Sequence, residues 1–77
     1  MKNFKIELDN GNVLTVAEAG DCDYPGVELK VFDKSGEEKA RIIVEQDKNE
    51  SEKNLLNCYL WEDKDSDEFT KKVSIKL

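Results

Sequence analysis

The sequence predicts an all-β domain of about six antiparallel strands in three consecutive hairpins, arranged as a small sandwich or barrel. Apolar and polar residues alternate at period two along most of the chain, the mark of half-buried strands. Turn signals such as Asn-Gly, Pro-Gly and Ser-Gly recur about every ten residues. At 77 residues the chain has the length of one domain, so residues 1–77 are read as a single unit.

The first strand is "FKIELD", with Phe4, Ile6 and Leu8 on one side and Lys5, Glu7 and Asp9 on the other. Asn10-Gly11 follows, a strong hairpin signal because both residues tolerate positive φ. A two-residue turn there pairs Asp9 with Asn12. It sets Leu8 against Val13, Ile6 against Thr15 and Phe4 against Ala17, with Leu14 and Val16 beside Glu7 and Lys5. "AGDCDYPG" reads as a loop, and Pro25-Gly26 suits the centre of a type II turn, with Gly26 at positive φ. In the third strand, "VELKVF", Val27, Leu29 and Val31 point inward. The fourth, "KARIIVEQ", places Ala40, Ile42 and Val44 on one face. A two-residue turn at Ser35-Gly36 or a four-residue turn over Asp33 to Gly36 puts these two sets on the same face; a three-residue turn sets Leu29 opposite Arg41 and Val31 opposite Lys39. Burial favours the even loops, since a one-residue slip turns every side chain over.

"DKNESEKN" is wholly polar and reads as a surface loop. The fifth strand, "LLNCYLW", is apolar on both sides: Leu56, Cys58 and Leu60 oppose Leu55, Asn57, Tyr59 and Trp61. In the last strand, "FTKKVSIKL", Phe69, Val73, Ile75 and Leu77 share one face. Lys71 interrupts that face near the turn, where it can snorkel to solvent. The first and last strands carry outward Lys residues, a protection against edge pairing.

Composition excludes several functions. Acids outnumber bases 18 to 12, and there is no His. Residues 62 to 68 alone hold five acids and one Lys, so the excess charge sits in one loop. A net negative chain lacks the basic run that phosphate contacts require, so no nucleic-acid binding is expected. Without His, the commonest general base and transition-metal ligand are missing. Carboxylate chemistry needs a cleft that this core would barely enclose, and the four glycines all fall at turns, leaving no phosphate loop. No enzyme activity and no cofactor are expected. The opening "MKNFKIELDN" has no apolar signal region, so a cytoplasmic protein with no membrane contact is expected. Cys22 and Cys58 are then expected as free thiols. Asp21 and Asp23 oppose thiolate formation at Cys22, which argues against a nucleophile there.

Two acidic loops raise the question of calcium. Asp63, Asp65 and Asp67 match the first alternate ligands of a calcium loop. The match then fails: Glu68 stands where the turn needs Gly, and Ser74 where a bidentate Glu is needed. In an extended chain those three Asp residues spread over ~13 Å. "DCDYPG" offers Asp21, Asp23 and Gly26 in the same pattern, spoiled by Pro25 and Phe32. A shared site remains open if both loops, 21–26 and 62–68, lie at one end of the sheet. The plainer reading is two solvated turns.

The second candidate is an interaction patch of Tyr59, Trp61 and Leu55, all on one side of the fifth strand. Trp and Tyr are favoured interface anchors. The plainer reading has Trp61 capping one end of the core.

The stretch "DYPGVELKVFDKSGEE", between "LDNGN" and a final acidic hairpin, resembles small all-β proteins of Gram-positive gut-type bacteria. The resemblance covers most of the chain. It implies an all-β fold, and that group has no known activity to carry over to any residue.

The expected function is therefore a small intracellular, non-enzymatic β-domain that binds a protein partner or itself as a homodimer. The alternatives are a weak calcium-binding domain and an acidic inhibitor that imitates nucleic acid; the latter needs acids spread over a whole face.

Overall fold

The computed structural model describes residues 3–19, 25–47 and 55–77. Six strands form one antiparallel sheet in sequence order: β1 (Phe4–Glu7), β2 (Val13–Ala19), β3 (Gly26–Phe32), β4 (Glu38–Asp47), β5 (Leu55–Trp61) and β6 (Lys71–Lys76). The all-β class, the six strands and the three hairpins follow the periodicity. The sheet is a single open layer, with β1 and β6 as its edges, and does not close into a barrel.

The β1–β2 hairpin differs from expectation by one residue. Leu8 N–H donates to Asn12 O at 2.8 Å, so the loop is Asp9-Asn10-Gly11 and not Asn10-Gly11 alone. Asn10 and Gly11 do take positive φ, 65° and 78°. The third loop residue shifts the register, so Ile6 faces Leu14 and Phe4 faces Val16. The expected pairs, Ile6 with Thr15 and Phe4 with Ala17, do not form. The physical gain is segregation: Phe4, Ile6, Leu14 and Val16 now share one face, while Lys5 and Glu7 stand beside Thr15 and Val13.

The β3–β4 turn reaches the expected facing by another route. Asp33 N–H donates to Glu37 O and Gly36 N–H to Asp33 O, closing a three-residue loop. An odd loop alone would turn β4 over. A bulge cancels it: Phe32 pairs with Glu38 but Val31 with Ala40, leaving Lys39 as the extra residue. Val27, Leu29 and Val31 therefore meet Val44, Ile42 and Ala40, as burial demands.

Gly26 is no turn residue. It begins β3, pairs with Ala19 and Glu45, and has no positive φ, so the type II turn is not formed. Its need for glycine is steric. A Cβ there would lie 2.2 Å from the Val44 carbonyl oxygen, so the β4 backbone leaves no room for one.

Side chains of paired residues point the same way, so the registers define two faces. One is nearly all apolar: Phe4, Val16, Leu29, Ile42 and Leu60 run across it in a single row, ending at Lys71. A second row runs Glu18, Val27, Val44, Cys58 and Val73. The other face is mixed, with rows such as Thr15, Lys30, Arg41 and Trp61. Among the described residues no hydrophobic side chain is fully buried. Asn57 is the only buried one of any kind, at 4% exposure, and its Oδ1 accepts from Ser74 Oγ at 2.8 Å.

Candidate functional site

Tyr59 and Trp61 lie two residues apart on β5, so the strand points both rings onto the mixed face. Their centroids are 6.1 Å apart. Phe69 completes a triangle, 5.1 Å from Tyr59 and 6.0 Å from Trp61, the latter edge-on at 87°. Such pairs contribute about 0.5–1.5 kcal/mol each beyond their burial. Two cations flank the rings. The Arg41 guanidinium sits 4.8 Å over Trp61, and the Lys72 ammonium 5.4 Å over Tyr59. Arg41 is placed there by register, as the direct partner of Trp61 across β4 and β5. Trp61 Nε1 and Arg41 Nε are both shielded from solvent and hydrogen-bond to no described residue.

Alternation alone places Phe69 with Val73, Ile75 and Leu77. The structure corrects this. β6 starts only at Lys71, and the irregular backbone before it breaks the alternation, turning Phe69 towards Tyr59. Strand parity could not find it, because parity holds only within a strand. Val73 and Ile75 pair with Cys58 and Leu56 on the apolar face. Leu55 shares the mixed face with Tyr59 and Trp61 but pairs with Lys76 at the far end of β5, ~13 Å from Tyr59 at ~3.3 Å per residue. Tyr59 and Trp61 thus come together, and Leu55 stands outside their cluster. The cluster lies on the mixed side, so Trp61 does not cap the apolar face.

In the 62–70 loop, Asp63 is engaged by its own backbone. Its Oδ1 accepts from Asp65 N–H at 3.0 Å and its carbonyl from Ser66 N–H at 3.2 Å. Ser66 Oγ then ties to Glu68 through two hydrogen bonds. These are turn bonds of the kind short polar side chains make. The chain enters and leaves this loop at Trp61 and Lys71, at one end of the sheet. Residues 20–24, and with them Asp21, Asp23 and any calcium site shared with loop 62–68, lie outside the described residues. The 62–70 loop neighbours the β3–β4 turn, where Lys64 approaches Glu37 at 4.0 Å. Among the described residues no group of three or more carboxylates or thiols is placed to hold a metal ion.

Asp33 organises that neighbouring turn. It accepts from Ser35 Oγ at 2.6 Å, Ser35 N–H at 2.9 Å and Glu37 N–H at 3.1 Å. The Ser35 hydroxyl and then the Glu37 amide hold its carboxyl below the ordinary range, with Lys39 adding its charge.

On the mixed face, Glu7, Glu28 and Glu45 stand among Lys5, Lys30, Arg41 and Lys72. The described residues there form no continuous acidic strip. A shallow groove of about 480 Å³ crosses β1 to β3, lined by Lys5, Thr15, Glu28, Lys30 and Phe32. Cys58 is a free thiol on the apolar face. Among the described residues no helix is long and apolar enough to cross a membrane. Compared with known proteins, the chain matches no family model, no curated protein and no solved structure.

Proposed function

We propose that this chain is a small non-enzymatic β-domain that acts by associating with protein through its sheet. One observation carries the reading: the sheet has one nearly all-apolar face, yet none of its described hydrophobic side chains is fully buried. A face of that kind in water is an interaction surface, since monomeric domains rarely expose large contiguous apolar patches. Residue type and strand alternation alone point to Tyr59 and Trp61 for this surface. Those rings spend much of their area on Phe69 and the flanking cations, so the opposite face is the better candidate.

Cys58 reports on that face. In a Cys22→Ser background at high dilution, with monomeric mass verified, Cys58, half-buried in the single chain, is expected to react with a maleimide without strong protection. Strong protection of Cys58 in a monomer would mean that the chain covers its own apolar face, and the proposal would fall.

A further inference from the structure

We infer that the apolar face is a homodimer interface: two copies pack face to face and convert two open sheets into one β-sandwich. This rests on the association reading above and names the partner as a second copy.

Area supports the assignment. The chain exposes 5666 Å², whereas a compact monomer of 8.8 kDa exposes about 4,800 Å². The surplus of roughly 900 Å² matches what one partner brings to a standard interface, about 800 Å². One face-to-face contact would therefore restore the surface of an ordinary globular protein.

Charge agrees. The strand rows of this face include one acid, Glu18, and one base, Lys71, both near strand ends. The face is neutral on balance. The excess negative charge hangs from the end of the β5–β6 hairpin, in residues 62–68. Two copies can meet here without setting like charges against each other. An apolar, neutral sheet face is its own complement, and paired sheets stack about 10 Å apart with interleaved side chains. The exposed large hydrophobic residues that lie within strands, Phe4, Ile6, Val73 and Ile75, all sit on the two edge strands, where a lone sheet has least cover.

The test is sedimentation of the wild-type chain with thermal melting, from about 1 to about 100 μM. The expected mass is twice 8.8 kDa, with a melting temperature that rises with concentration. Ile42→Lys, at the centre of the face, is expected to weaken the dimer at least about 30-fold. Val73→Lys serves as the second variant. Val73 is 47% exposed in the single chain, so a Lys there leaves monomer folding intact while charging the interface. Thr15→Glu, on the mixed face beside Lys5 and Lys30, is expected to leave the dimer unchanged. A wild-type monomer at every concentration overturns the dimer; if its Cys58 reacts freely, the association reading survives with another partner. A dimer that tolerates both Lys variants, or that Thr15→Glu breaks, overturns the assigned face.

Discussion

Gly26 and Asp33 show how single positions hold this sheet together. At Gly26 a methyl group has nowhere to go, because the atom it meets is a β4 backbone oxygen. Gly26→Ala is expected to destabilise the fold by about 1–3 kcal/mol, the range for overpacking, read as a lower urea midpoint. At Asp33 the folded-state pKa lies below the unfolded value. Its contribution is therefore complete above the ordinary carboxylate pKa of 3.8 and is lost as pH falls through the lower folded value. The gap in melting temperature between wild type and Asp33→Ala is expected to shrink between about pH 6 and about pH 2.5. A constant gap would show that the hydroxyl and amide bonds to Asp33 do not matter. Asp33 was legible as a turn residue from "DKSG". The Gly26 requirement was not, because it comes from a strand eighteen residues further on.

At the scale of elements, the loops decide the register. Alternation within strands was readable, so the sharing of faces by Val27 to Val31 and Ala40 to Val44 was foreseen. Loop length was not, because Asp9-Asn10-Gly11 and Asn10-Gly11 are both compatible with the same residues. The β3–β4 hairpin makes the point sharply: an odd loop and a bulge together give the even register. The aromatic cluster belongs here too, since it joins β5 to the loop before β6. Phe69→Ala is expected to cost about 3 kcal/mol or less, Phe69 being half exposed, and to shift Trp61 emission to the red. Unchanged emission would mean that Phe69 does not pack on Trp61 in solution. In the 62–70 loop, Asp63 already bonds Asp65 and Ser66, so millimolar calcium is expected to leave the melting temperature unchanged. A clear rise would restore the cation reading for Asp63, Asp65 and Asp67.

For the molecule as a whole, the open layer creates two hazards, a bare face and two free edges. A second copy covers the face in the arrangement inferred above. The edges depend on charge: Lys72 and Lys76 line the mixed side of β6, and Lys5 that of β1. Replacing Lys72 and Lys76 together by Thr removes this protection while keeping strand propensity. The double variant is expected to scatter light at concentrations where the wild type stays clear. Equal clarity would show that the edge lysines are not what keeps sheets apart.

The sequence by itself determined the class, the strands and the alternation within each strand, because side-chain alternation is local and reads directly from residue order. Tertiary structure decided three further things: the register of the first hairpin, the meeting of Phe69 with Trp61, and the single-layer architecture. Each depends on where distant segments lie in space. A sheet facing its own second half and a sheet facing another chain have the same alternation, so only the placement of all six strands shows that the described strands form a single layer with no second sheet over the apolar side.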